Sequence, residues 1–165
     1  MTTENAMFAA GCFWGVQDAF DKPKGVKKTI VGYTGGHTRN PTYEDVCNDE
    51  TGHAEAVHIE YEPSEVSYDE LLSVFWKIHD PTTKNRQGPD IGKQYRSAIY
   101  YHNAEQKKAA EKSLAAEQKN CEKKIITEIV QAGPFYHAEE YHQHYHTKTK
   151  TPGCFRGLLQ KKHAV

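Results

Sequence analysis

The chain switches repeatedly between two hydrophobic periods, and the order of those switches limits the folds open to it. Residues 5–10 form a short apolar run of strand length that ends at Gly11. Helical spacing follows at once: across residues 12–20, Phe13, Val16 and Phe20 fall at i, i+3 and i+7. Residues 26–33 read as a second strand, closed by Thr34-Gly35-Gly36. Between His37 and Gly52 lies a polar, turn-rich excursion too long for a simple hairpin, and therefore a candidate functional loop.

Residues 55–61 alternate cleanly, with Val57, Ile59 and Tyr61 on one face. Ser67 then caps an amphipathic helix reaching about Ile78, with Glu70 completing a capping box and Leu71, Leu72, Phe75 and Ile78 on its apolar face. Pro81 marks where that helix has ended. An irregular stretch over residues 87–93 leads to a strand over 95–101. Asn103 caps a helix over 104–119, and residues 124–130 give one more strand. The order β-α-β-β-α-β, then helix and strand, predicts an α/β (α+β) fold. It is a two-layer sandwich with a ferredoxin-like core, an added helix and strand, and a long C-terminal coil.

With 165 residues and no Pro/Gly-rich linker or repeat, the chain is expected to be a single domain over 1–165, with 146–165 a flexible C-terminal tail. Its 21 basic and 22 acidic side chains nearly cancel, which argues against nucleic acid as a partner. No apolar run approaches the roughly 20 residues that span a bilayer, and the polar start, which carries Glu4, does not read as a signal peptide. A cytoplasmic monomer without membrane attachment is the expectation. Cysteines at 12, 47, 121 and 154 form no CxxC pair, so reduced thiols are expected rather than a disulfide framework or zinc knuckle.

Two residues carry candidate chemistry. Cys12 sits where a strand hands over to a helix, where unpaired N–H groups and the helix dipole favour a thiolate. The position alone leaves a buried core cysteine equally open. Glu55 is in phase with Val57, Ile59 and Tyr61, which points its carboxyl toward the apolar face. There it has to be paired or protonated, and a protonated acid near a thiol can put a proton on a leaving oxygen. A frayed, wet strand end is the other reading.

Longer blocks resolve these alternatives. Gly11-Cys12-Phe13-Trp14-Gly15 resembles the signature of the A-class peptide methionine sulfoxide reductases. So do Gly32-Tyr33, Asn40-Pro41-Thr42-Tyr43, Thr51-Gly52-His53-Ala54-Glu55 and His79-Asp80-Pro81-Thr82. The same holds for Asn85-Arg86-Gln87-Gly88-Pro89-Asp90, Gln94-Tyr95-Arg96-Ser97 and Tyr141-His142-Gln143, in the family's order from Phe8 to about Tyr145. The resemblance implies that Cys12 attacks the sulfoxide sulfur and becomes a sulfenic acid, while Glu55 protonates the oxygen. It implies that Tyr43 and Tyr95 hydrogen-bond that oxygen, that Phe13 and Trp14 hold the S-methyl group, and that Asp90 positions the polar rim. It further implies specificity for the S epimer, free or in oxidised proteins, and no bound cofactor.

The same resemblance implies regeneration by thioredoxin or another dithiol, through a disulfide with a tail cysteine. Cys154, in Thr151-Pro152-Gly153-Cys154-Phe155, is the favoured resolving residue over Cys121 and Cys47. A thiol peroxidase or transferase would explain Cys12 but not the tyrosines or Trp14. His137, His142, His144 and His146 could chelate a metal if extended. Their flanking blocks belong to a family pattern that implies none, so no metal site is expected.

Overall fold

The computed structural model describes residues 2–48 and 50–149. Strand β1 (Glu4–Ala10) runs through the middle of the sheet. Its residues Ala6 to Ala10 are all buried because both faces of the strand are covered, which is why they read as a run rather than an alternation. Helix α1 (Phe13–Phe20) follows, then β2 (Val26–Thr34), the short helix α2 (Tyr43–Cys47) and β3 (Ala54–Tyr61). Helix α3 (Tyr68–Lys77), a two-residue hairpin of β4 (Arg86–Gln87) and β5 (Asp90–Ile91), and a 3-10 turn (Lys93–Tyr95) lead to β6 (Ser97–Tyr101). Helix α4 (Ala104–Gln118), β7 (Glu128–Gln131), β8 (Phe135–His137), a second 3-10 turn (Glu140–His142) and α5 (Tyr145–Thr149) complete the order.

Among the described residues, six strands form one mixed sheet in the order β7-β6-β1-β3-β2-β8. All neighbours are antiparallel except β6 and β7. The main core lies between the sheet and its helices: Phe8, Val31, Val57, Ile59 and Ile99 from strands meet Phe13, Val16, Phe20, Leu71, Leu72 and Phe75 from α1 and α3. Burying each of the larger side chains is worth about 1.5–3 kcal/mol. The other face carries Met7, Ala9, Ala54, Ala56, Ala98 and Tyr100, covered by Ala132 and Phe135. Ala132 lies on the segment that carries the chain from β7 at one edge to β8 at the other, and Phe135 opens β8. Among the described residues, no helix is long and apolar enough to cross a membrane.

Several expected boundaries move. The strand expected from Tyr95 begins at Ser97; Tyr95 instead ends the 3-10 turn that Gly92, at φ 145°, introduces. The strand expected over 124–130 is paired only from Glu128. Before that, Ile125 N–H bonds to the Gln118 side chain and Ile126 N–H to the Pro81 carbonyl, so the backbone is spoken for elsewhere. The excursion after β2 contains α2, whose start is a capping box between Thr42 and Asp45. Ser67 accepts from Glu70 N–H, which is one half of the capping box expected there. The coil expected after Tyr145 is, as far as Thr149, the helix α5 packed on α1.

β8 was not legible as a strand, yet it closes the edge of β2. Tyr136 pairs with Tyr33, and the backbone comes so near Gly32 that a Cβ there would lie 2.2 Å from the Tyr136 carbonyl oxygen. Past β8 the chain becomes a strap tied by Gln143. Its amide accepts from Val31 N–H at 3.0 Å and donates to the carbonyls of Val31 and Ala138 at 2.9 and 3.0 Å. Gln143→Ala would leave the buried Val31 N–H without this acceptor, at a cost of about 1–3 kcal/mol. Urea unfolding of the variant should show that loss, and an unchanged midpoint would refute the anchoring role.

Candidate active site

Gly11 takes a left-handed φ of 98°, and a Cβ there would meet Gln87 Cγ at 2.8 Å. Gln87 is itself fixed, since its amide both accepts from Asp80 N–H and donates to the Asp80 carbonyl, each at 2.8 Å. The glycine therefore lets the chain turn sharply from β1 into α1 beneath the Gln87 side chain. Cys12, half-buried, is the N-cap of α1, and its carbonyl accepts from Val16 N–H. Its thiol is thus at the end of the helix where unpaired N–H groups gather.

The first of those groups is claimed by Glu55. Phe13 N–H donates to Glu55 Oε1 at 3.1 Å, and Glu55 is 1 % exposed. The register that pairs Phe8 with Val57 brings the end of β1 beside the start of β3, so cysteine and carboxyl arrive together. The wet-end reading of Glu55 does not survive. Its carboxyl is buried at a helix N-terminus, a favourable place for negative charge.

Both sequence-predicted tyrosines face this pair. Tyr43 opens α2, and its hydroxyl hydrogen-bonds with the Cys47 thiol one turn later. Burial, that bond and the charge of Glu55 push its phenol well above the usual range. Tyr95 is raised likewise, by burial first and then by Glu55 and Asp90, with Cys47 and Cys12 adding smaller contributions. Both phenols therefore stay protonated and remain hydrogen-bond donors. Asp90 is half-buried on β5, and burial pushes its carboxyl upward.

Phe13 is fully buried, its ring 5.7 Å from that of Tyr33 and 5.3 Å from that of His142, so it backs the site. Trp14 is only half-buried and stands in front of it. The indole stacks on Tyr145 at 3.8 Å and 13°, and its Nε1–H donates to His142 Nδ1 at 2.9 Å.

Sequence reasoning missed the strap that completes the site. Glu139 accepts from Tyr33 Oη at 3.0 Å, Tyr43 N–H at 3.1 Å and Tyr141 Oη at 3.3 Å. Burial opposes ionisation of Glu139, but bonds from its own N–H, Tyr43 N–H and the Tyr33 hydroxyl outweigh it and hold the carboxyl below its ordinary value. The available signal was the block Tyr141-His142-Gln143, whose histidine was weighed as a metal ligand. His142 instead receives the Trp14 indole, and His144 Nδ1 lies 3.0 Å from Asp21 Oδ2. Among the described residues, no group of three or more His, Cys, Asp or Glu is placed to hold a metal.

Of the remaining cysteines, Cys47 is exposed on α2 and its thiol is pushed up by burial of the sulfur. Cys121 is half-buried just past α4. Cys154 lies outside the described residues. The site thus offers a thiol at a helix terminus, a buried carboxyl, two protonated phenols and an aromatic wall. This set can deliver a nucleophile to one atom and protons or hydrogen bonds to its neighbour.

Comparison with known proteins points the same way. A peptide methionine sulfoxide reductase MsrA of Methanosarcina acetivorans is 60 % identical over 159 residues, covering 95 % of this chain and 81 % of its own. The crystal structure of reduced Mxr1 from Saccharomyces cerevisiae superposes with a TM-score of 0.88 at 34 % identity, covering 93 % of this chain and 90 % of that one. Mxr1 in complex with Trx2 gives 0.62 at 27 % identity, over 87 % and 84 % of the two chains. The sequence model for peptide methionine sulfoxide reductase matches residues 4–165. The chain belongs to the peptide methionine sulfoxide reductase family.

Proposed function

We propose that this enzyme reduces methionine S-sulfoxide, free or in oxidised proteins, through a sulfenic acid on Cys12. The observation that carries the mechanism is the bond from Phe13 N–H to Glu55, which holds a buried carboxyl beside the residue that follows the nucleophile. The Cys12 thiolate attacks the sulfoxide sulfur while Glu55 protonates the oxygen. Tyr43 and Tyr95 stabilise that oxygen as its charge grows, generally the largest single catalytic contribution. The protonated oxygen then passes from the substrate sulfur to Cys12 Sγ as the S–O bond and the transient bond between the two sulfurs break, so methionine leaves and Cys12 is left as a sulfenic acid. Trp14, backed by Phe13, receives the S-methyl group, and Asp90 orients the polar side of the substrate. Cys12 and Glu55 share one helix terminus.

Recycling follows by condensation: the Cys154 thiol attacks the sulfenic sulfur, water leaves, and a Cys12–Cys154 disulfide forms. Thioredoxin, or another dithiol, then reduces that disulfide and is oxidised in turn. The yeast relative solved in complex with Trx2 supports a partner of this class. Cys12, Cys47 and Cys121 stand in no disulfide among the described residues, which fits a cytoplasmic enzyme, and the balanced charge fits a monomer with no nucleic-acid or membrane partner. The order β6-β1-β3-β2, with α1 and α3 as crossovers, supports reading the core as ferredoxin-like.

Cys12→Ser should abolish reduction of a sulfoxide-containing peptide, because an alcohol lacks a thiolate's nucleophilicity. Glu55→Gln should slow single-turnover reduction by about 10²–10⁴-fold, the usual worth of a general acid. Turnover by Cys12→Ser, or a Glu55→Gln rate near wild type, would remove that residue from its role.

Tyr43→Phe and Tyr95→Phe should each lose less rate than Glu55→Gln, and the double variant more than either single one. Each phenol is one of several donors to the same oxygen, so a survivor partly substitutes. A double variant as fast as wild type would reduce the tyrosines to pocket lining.

Cys154→Ser should still reduce one sulfoxide per molecule and accumulate sulfenic acid. It should fail to turn over with thioredoxin yet work with a small dithiol. Peptide mapping of oxidised wild type that joined Cys12 to Cys121 or Cys47 would refute Cys154.

A further inference from the structure

A cavity of about 520 Å³ opens on the face of the sheet that carries Tyr100, under the segment joining β7 to β8. Gly133 and Pro134 of that segment form one wall, and Tyr100 of β6 and the loop from Gly35 to Arg39 form others. None of the residues that line it is one of those placed at the active site. Gly35, Gly36 and His37 are exposed, so solutes can reach it. Its volume is that of an ordinary small-molecule site, about 300–1,000 Å³.

The polar groups facing this space are mostly donors. Tyr100 is 1 % exposed, and its hydroxyl is buried without a hydrogen-bond partner among the described residues, as is Thr38 Oγ1. Burial pushes the Tyr100 phenol up to about 12, although the Arg96 guanidinium beside it pulls the other way, so the proton stays on. Arg96 commits Nε to Glu128 at 3.3 Å and Nη1 to the Lys93 carbonyl at 2.9 Å. Its Nη2 lies next to Gly35, where an added Cβ would stand 3.0 Å from Nη2 and 3.0 Å from the Tyr100 hydroxyl. Gly35, at φ 85°, thus keeps open a point on which a cationic N–H and a phenolic O–H converge. Arg39 brings a second guanidinium. Against these two cations, Glu128 is the one acidic residue among those lining the cavity, and it is half exposed.

We infer that this cavity is a second ligand site, separate from the sulfoxide pocket, which takes a small oxyanion, a carboxylate or phosphate group, on Arg96, Arg39 and the Tyr100 hydroxyl. An unmatched buried hydroxyl is costly, and each such group calls for an explanation. An anion is the acceptor that matches the hydroxyl and the guanidinium nitrogens together, through short charge-assisted bonds. His53 does not compete for it, since Nδ1 accepts from Gly36 N–H and Nε2 faces the Thr38 carbonyl at 2.7 Å. Pro134 and the Tyr136 ring give an apolar flank for the body that carries the charged group.

The test titrates the full chain, labelled with 15N, with sodium phosphate and separately with sodium acetate, at an ionic strength held constant with sodium chloride. The amide resonances of Gly35, Gly36 and Thr38 should shift saturably with at least one probe, and the tighter of the two identifies the group taken. Tyr100→Phe should weaken that binding at least about 10-fold, the worth of one hydrogen bond to a charged group. Arg39→Ala should weaken it as well. The urea midpoint of Tyr100→Phe should not fall, because the hydroxyl has no internal partner to lose. No saturable shift with either probe overturns the site. Equal affinity in either variant, the mark of an adventitious ion only, overturns it too. A lowered midpoint in Tyr100→Phe overturns the reading of its hydroxyl as a donor kept for a ligand.

Discussion

The hydrogen bond between Phe13 N–H and Glu55 joins the first open donor of α1 to a carboxyl buried on the strand beside β1. Each group needs the other. A buried carboxyl without a partner is expensive, and a buried helix end without one leaves donors unmatched. Because β1 and β3 are neighbours in register, satisfying both costs no distortion of the sheet. The bond fixes where α1 starts, and Cys12 is the residue just before that start. Cys12 and Glu55 are thus set by one local geometry, with Gly11 supplying the turn and Gln87 closing over it.

Much of this was readable from sequence because strand and helix periods are strong signals. Glu55 fell in phase with Val57, Ile59 and Tyr61, and the structure buries all four. Phe13, Val16 and Phe20 marked the buried face of α1 without ambiguity. The failures share a cause, since they are elements too short to show a period. α2 has five residues, and its capping box ends in aspartate rather than the glutamate looked for elsewhere. β8 has three residues behind Gly133-Pro134. Tyr95 was placed on a strand because its apolar character ran on into β6, while the backbone there is governed by Gly92.

The strap is a tertiary fact that no local pattern announces. Glu139 gathers Tyr33 from β2, Tyr43 from α2 and Tyr141 from its own turn, binding three separate segments to one carboxylate. Gln17 on α1 repeats the device. Its Nε2 donates to the Thr29 carbonyl and Oγ1, and its Oε1 accepts from His144 N–H at 2.6 Å. Buried amides and carboxylates hold the last described residues where apolar contact alone would let them slide. Networks of this kind specify a unique arrangement when every member is matched.

The two edges of the sheet are short: three residues of β8 on one side and four of β7 on the other. Edge strands are where a second polypeptide adds by backbone pairing, and brevity is one of the ways proteins discourage it. An enzyme that repairs oxidised proteins spends its working life against loosened, partly unravelled chains that seek such edges. With edges of three and four residues, the sheet offers such chains little free ladder to pair with.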